Sequence, residues 1–220
     1  MDSNVKRLSH KTMGFSRVLI ANRGEIALRI LRSLRTMGTE VAIIHGREDR
    51  ASLPVRLSDY AVPIYRKDPL QSYLDIEAIV EAAKSVNADA VHPGYGFLAE
   101  NPAFARRLKD EGIVFIGPSP EVLELLGDKI QARSTMASAG LPVAGGSDHP
   151  VENPDEANLI AAGIGYPVII KAAAGGGGIG MQVVVSPDDL DSAFRLCSSR
   201  AKSAFGDGTV SYTHLTLPTK

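Results

Sequence analysis

Short β-branched runs alternate along the chain with stretches of helical periodicity, and this alternation sets the first expectations. Residues 17–21 read as a strand buried on both faces. After the turn Asn22-Arg23-Gly24, the residues Ile26, Ile30, Leu34 and Met37 recur at helical spacing, and Gly38 marks the stop. A second strand is expected at 41–44. An irregular stretch then leads to a helix around Ile76, Ile79, Val80 and Ala83. A short strand at 88–91 runs into His92-Pro93-Gly94-Tyr95-Gly96. Asn101 followed by Pro102 predicts a capped helix that Gly112 ends, and residues 113–116 read as another strand. Ser119-Pro120-Glu121 opens a further helix, and Asp128 caps the next, which stops at Gly140. Such recurrence predicts an α/β fold with a parallel sheet.

The texture changes after Gly140. Residues 141–153 are rich in Pro and Gly and read as a junction. A helix at 154–162, a strand at 167–171, a run of glycines and a strand at 181–185 come next. Ser186-Pro187-Asp188-Asp189 opens a final helix toward Lys202. The stretch 210–219 carries no cap signal and no link to that helix, and it resembles translated adapter sequence. The expectation is a chain cut near Gly208 with a foreign addition after it. Residues 1–14 hold Lys6, Arg7 and Lys11 but no apolar core of a secretory signal, and read as a frayed extension.

Composition narrows the function classes. Among 220 residues, 24 Lys and Arg balance 25 Asp and Glu for a net charge of −1, without the basic excess of a nucleic-acid binder. The single cysteine, Cys197, excludes an internal disulfide, points to a reducing compartment, and reads as a small apolar helix residue. No apolar run approaches the roughly 18 residues that span a bilayer. A soluble, cytoplasmic protein is expected, with the mitochondrial matrix as the alternative.

The segment richest in chemistry is Lys171-Ala172-Ala173-Ala174-Gly175-Gly176-Gly177-Gly178-Ile179-Gly180. A lysine ends one strand, and glycines free of Cβ atoms let successive peptide N–H groups turn toward one anion. No Gly-Lys-Ser/Thr follows, so this is not a P-loop; the order strand–loop–strand suggests a hairpin flap over phosphates. Lys129, in Gly127-Asp128-Lys129, opens a helix and opposes its macrodipole at a cost of a few tenths of a kcal/mol, which a nearby phosphate would offset. An exposed surface lysine is the plainer account of it. The turn at Asn22 lacks Gly-x-Gly-x-x-Gly, which disfavours a nicotinamide site. His92 ends a strand at the sheet edge where α/β ligand sites gather, but its place beside a proline favours a loop anchor. No His, Cys or paired-carboxylate spacing suggests a metal site. Arg29, Arg32 and Arg35 read as a solvated face, with a dimer contact as the sharper alternative.

Several segments together resemble the biotin carboxylase family of the ATP-grasp superfamily. They are Ile20-Ala-Asn-Arg-Gly-Glu-Ile-Ala-Leu-Arg-Ile30, His92-Pro-Gly-Tyr-Gly-Phe-Leu98 with Glu100-Asn101, Phe115-Ile-Gly-Pro118, Gly127-Asp-Lys129, and Gly165-Tyr-Pro-Val-Ile-Ile-Lys171 with the glycine loop. The resemblance covers about 15–205. It implies a doubly wound parallel-sheet N-terminal domain at 15–127 and the start of an ATP-grasp domain at 128–209, with a lid carrying the glycine hairpin. The extension 1–14 and a non-native tail at 210–220 flank them. The C-terminal ATP-grasp portion is expected to be missing, and with it the magnesium ligands, the general base and the bicarbonate-binding arginine.

By matching position, Lys129 and Lys171 would contact ATP phosphates, and Gly175, Gly176, Gly177 and Gly178 would form the amide cradle. The reaction implied is MgATP-dependent activation of bicarbonate as carboxyphosphate, then carboxylation of biotin on a carrier protein, the first half-reaction of an acyl-CoA carboxylase. A carboxyltransferase and a homodimer partner are implied as well. Ile179 stands where the family often has Arg or Lys, and Ala174 replaces the first of five glycines; both bear on lid closure. The 220-residue chain alone is expected to be inactive. The alternatives are the matching part of a pyruvate, methylcrotonyl-CoA or urea carboxylase, or a non-catalytic sheet module. Nucleotide sequencing across the codons for Gly208 and Val210 is expected to show a break in the natural frame; a continuous genomic frame refutes the foreign tail.

Overall fold

Val18, Leu19 and Ile20 are fully buried, which a strand can achieve only with layers on both of its faces. The computed structural model describes residues 14–143, 146–147, 149–151, 153–172, 180–205, 208 and 210–214. The chain divides into two compact units, Met1–Pro120 and Glu121–Lys220.

In the first unit the elements run β1 (Arg17–Ile20), α1 (Gly24–Thr36), β2 (Glu40–His45), α2 (Leu53–Leu57) and β3 (Tyr60–Pro63). A 3-10 turn (Pro69–Tyr73), α3 (Ile76–Ser85), β4 (Ala90–His92), α4 (Pro102–Asp110) and β5 (Val114–Phe115) complete it. The five strands are parallel in the order β3-β2-β1-β4-β5. Alternation along β1 splits the core into two layers. Val18 and Ile20 join Ala27, Ile30, Leu31 and Leu34 of α1. Leu19 and Ala21 join Ile79, Val80 and Ala83 of α3 and Phe104 and Leu108 of α4. Helices thus cover both faces, and the sheet is doubly wound, as the sequence implied.

Asn101 does cap α4, its Oδ1 accepting from the Phe104 amide at 2.9 Å. Gly38 and Gly112 sit at φ +75° and +72°, the left-handed conformation that ends α1 and α4. Three expectations need correction. Met37 is not on the buried stripe of α1: it is the C-cap, 69 % exposed, and the stripe is Ala27, Ile30, Leu31 and Leu34. The stretch taken as irregular before α3 holds α2, β3 and the 3-10 turn. The strand expected at 88–91 begins at Ala90, because Asp89 spends its carboxylate on the Ser16 and Arg17 amides at 2.5 and 2.9 Å.

The second unit holds α5 (Pro120–Gly127, with all but its first residue), α6 (Lys129–Ser138), α7 (Pro154–Ile164), β6 (Val168–Ala172), β7 (Met181–Val184), α8 (Leu190–Phe205) and β8 (Val210–His214). The three strands form an antiparallel sheet in the order β7-β6-β8. Val168, Ile170 and Val184 on one face pack with Ala157 and Ala161 of α7 and with Leu190, Phe194 and Cys197 of α8. Cys197 is 1 % exposed, and burial pushes its thiol pKa up, so it is a core residue. Residues 210–214, where the sequence pattern showed no element, form β8, which pairs with β6 from Val168↔His214 to Ala172↔Val210.

Asn101→Ala is expected to lower the unfolding free energy of the first unit by about 1 kcal/mol, read by urea denaturation, while Asn101→Asp keeps the cap.

Candidate functional site

Lys171 lies on β6 directly opposite Met181 of β7, and Ile169 lies opposite Val183. Side chains opposite one another in a ladder share a face. That face is the one turned away from the helices: Ile169 and Lys171 are half-buried, while Met181 and Val183 are 44 % and 45 % exposed. One cation thus stands on this face with Ile169 beside it on β6, Met181 of β7 on one side and Ser211 of β8, 5 % exposed, opposite it on the other. The sequence pattern shows the lysine but not these neighbours. Just beyond Lys171, the Ala172 amide donates to the Gly180 carbonyl at 2.9 Å. Gly180 sits at φ +70°, and a Cβ there would lie 3.1 Å from that of Ala172. The strands on either side of the glycine run therefore form an antiparallel hairpin. Gly175, Gly176, Gly177 and Gly178 themselves, with Ala174 and Ile179, lie outside the described residues.

Lys129 is the first residue of α6 and is half-buried. Asp128 caps this helix, accepting from the Ile130 and Gln131 amides at 2.9 and 3.0 Å. Its carboxylate offsets the macrodipole, so the dipole by itself does not require a phosphate beside Lys129. Lys129 and Lys171 both belong to the second unit.

In the first unit, strand order reverses between β1 and β4, and the loops leaving their carboxyl ends face each other across a crevice. Asn22, 2 % exposed, closes it: its Nδ2 donates to the Pro93 carbonyl at 2.7 Å and to the Tyr95 carbonyl at 2.8 Å. Gly94 sits at φ +69°, and any Cβ there would lie 2.6 Å from that nitrogen, so only glycine fits. His92 Nδ1 accepts from the Gly94 amide at 3.0 Å, which leaves the ring proton on Nε2. Burial lowers the His92 pKa, so the ring is neutral at pH 7. His92 is a loop anchor, the structural role its proline neighbour suggested. The Tyr95 hydroxyl donates to Glu25 Oε1 at 2.7 Å, and this bond raises the phenol pKa.

A second cluster beneath these loops has no signature in the sequence pattern. Arg23 grips Asp49 with Nε to Oδ2 and Nη2 to Oδ1, each at 2.8 Å. The buried Tyr73 hydroxyl donates to Asp49 Oδ2 at 2.6 Å and accepts from the Gly46 amide at 3.0 Å. Burial pushes the Asp49 carboxyl up, but the bonds from Arg23 and Tyr73 outweigh it and hold the group below its ordinary value. Burial and the bond to Asp49 push the Tyr73 phenol well up. Of the arginines on α1, Arg35 donates to the Leu57 carbonyl and pairs with Asp59 at 3.7 Å. Arg29 and Arg32 are exposed. Among the described residues no cluster of three His, Cys, Asp or Glu could hold a metal ion, and no helix is long and apolar enough to cross a membrane.

The sequence family described as "Biotin carboxylase, N-terminal domain" matches residues 14–123, half of the chain. The chain belongs to the biotin carboxylase family. "Carbamoyl-phosphate synthase L chain, ATP binding domain" matches residues 128–214. A pyruvate carboxylase subunit from Methanothermobacter thermautotrophicus is 50 % identical over 89 % of this chain and 40 % of its own length. The biotin carboxylase of Nostoc sp. is 50 % identical over 90 % of this chain and 44 % of its own length. Among solved structures, the Campylobacter jejuni biotin carboxylase in its beta-gamma-ATP complex superposes with a TM-score of 0.89 at 44 % identity, covering 93 % of this chain and 46 % of that one. The biotin carboxylase domain dimer of Hydrogenobacter thermophilus 2-oxoglutarate carboxylase, a complex with MgADP, ADP and bicarbonate, gives 0.87 at 42 %, covering 91 % and 44 %. The chain therefore spans less than half the length of these relatives.

Because the folded pKa of Asp49 is depressed, its contribution to stability is fully present above the unfolded value and is lost as pH falls through the folded one. Thermal melts of the parent chain and Asp49→Asn are expected to differ at pH 7, and the gap to narrow steadily below pH about 4.

Proposed function

We propose that this chain is the nucleotide-gripping part of a biotin carboxylase, divided as 15–127 and 128–209. The complete enzyme uses MgATP to activate bicarbonate as carboxyphosphate, and then carboxylates biotin on a carrier protein. The observation that carries this reading is the open face of β6 and β7, where Lys171 stands between Ile169, Met181 and Val183. A nucleotide has an aromatic base and an anionic tail. The apolar side chains of Ile169, Met181 and Val183 offer the base a contact surface, the ammonium groups of Lys171 and Lys129 offer point charges to phosphate oxygens, and the N–H groups of Gly175 to Gly178 add a cradle. Phosphoryl transfer is mainly a matter of such positioning and charge neutralisation.

The described residues supply no magnesium ligand set, so no step is assigned to the metal through them. When bound with ATP, magnesium would neutralise charge on the phosphates. On this reading the 220-residue chain has no carboxylase turnover by itself. Its partners are a biotinylated carrier, a carboxyltransferase and a second copy of the enzyme.

The acceptor of the second half-reaction has two readings. An acyl-CoA acceptor fits the biotin carboxylase relatives. A pyruvate acceptor fits as well, since the relative that belongs to a pyruvate carboxylase is equally identical at 50 %.

In a carboxylase of full length, Lys129→Ala with Lys171→Ala is expected to weaken MgATP binding by about 100-fold, on the scale of two charge-assisted contacts. Titration calorimetry measures it, and hydrogen exchange should show MgATP protecting the amides of 175–178 in the parent only. Unchanged affinity would favour a non-catalytic sheet module.

A further inference from the structure

The Tyr95 loop is held from two sides. On one side Asn22 bonds its backbone and Glu25 bonds the Tyr95 hydroxyl. On the other side, Phe97, in a left-handed conformation at φ +43° that costs a non-glycine residue energy, lies stacked on Tyr73 with centroids 5.1 Å apart and planes at 29°. Tyr73 is 2 % exposed, and its hydroxyl ends on Asp49. The same carboxylate grips Arg23, which lies between Asn22 and Gly24 and is the N-cap residue of α1, without any side-chain cap bond of its own. Both restraints on the loop thus lead back to one carboxylate on the loop after β2. Its bonds go to Arg23 and Tyr73, and so reach Tyr95 through other residues.

We propose that Asp49 is a positioning residue for the Tyr95 loop at the carboxyl edge of the sheet, acting through Arg23 on the Asn22–Glu25 turn and through Tyr73 on Phe97. Each arm has a distinct job. The Arg23 fork fixes the turn that presents Asn22 and Glu25. The Tyr73 hydroxyl fixes the ring on which Phe97 rests. Asp49 receives one hydrogen bond from Arg23 and one from Tyr73, with the Arg23 Nε in ion-pair contact at 2.8 Å, so it joins the two arms in one unit. Its consequence for catalysis rests on the carboxylase reading, because only then does the loop face reacting groups; the positioning itself does not.

The test uses the 220-residue chain, so that its outcome is independent of carboxylase activity. Tyrosine ring carbons are labelled, Tyr95→Phe assigns the Tyr95 signal, and its titration is followed by NMR. Exchange is measured at the Gly94 and Ala99 amides, which bond His92 Nδ1 and the Gly96 carbonyl, with the Leu19 and Ile43 amides of β1 and β2 as controls. In Asp49→Ala and in Tyr73→Phe, exchange at Gly94 and Ala99 is expected to rise about tenfold, as for loss of one hydrogen bond to a charged group. The Tyr95 midpoint should fall toward the ordinary phenol value as its bond to Glu25 loosens, with Leu19 and Ile43 unchanged. The double variant should lose less than the product of the two single effects. An unmoved Tyr95 midpoint in both variants overturns the proposal, even if thermal stability falls. So does exchange that accelerates equally at the control amides, or full multiplicativity in the double variant.

Discussion

The side-chain amide of Asn22 is the point on which the first unit's crevice depends. An open parallel sheet brings two loops together where its strand order reverses, but nothing in the sheet itself bonds one loop to the other. A single buried nitrogen does so here, with one proton for each of two carbonyls. Those carbonyls, in part cut off from water, would cost about 1–3 kcal/mol each if left without a donor. The glycine at 94 follows from this contact, because the nitrogen occupies the space that a methyl group would need. Gly94 in turn leaves its own amide pointing at His92, and the imidazole answers as an acceptor. The glycine at 94 and the histidine tautomer are thus tied to one amide's geometry, while Glu25 and the Phe97–Tyr73 stack hold the rest of the loop.

Features written in local order were legible in the sequence. Asn101 before Pro102 and Asp128 before Lys129 announce helix starts, because a cap acts within three residues of itself. Buried strands such as β1 show as unbroken apolar runs. β3 does not: three of its four residues are exposed and it ends at Pro63, as suits an edge strand. β8 was missed for a different reason. Its place is secured by backbone pairing to β6, which leaves no periodic mark on Val-Ser-Tyr-Thr-His. The family resemblance brought out Lys129, Lys171 and the glycines. It did not bring out Asp49 with Arg23 and Tyr73, since these lie 26 and 24 residues from Asp49 and no spacing rule connects them.

The second unit divides its sheet between two tasks. Val168, Ile170 and Val184 anchor it to α7 and α8, while Ile169, Lys171, Met181 and Val183 remain on the open side. The period of two along a strand makes this possible, since one short hairpin can serve a core and a surface at once. A shift of register by one residue would turn Lys171 into the core, where burying an ammonium without a partner is costly. The lysine therefore helps to fix the register of the face that displays it.

The position of Cys197 gives the molecule a gauge that needs no engineering. With the sulfur sealed between α8 and the sheet and with no second thiol in the chain, a maleimide can react only when that helix lifts away. Labelling speed, set against that of the denatured chain, reports the opening equilibrium of the second unit's core. Any nucleotide that binds there and tightens the segment would register as a slower clock.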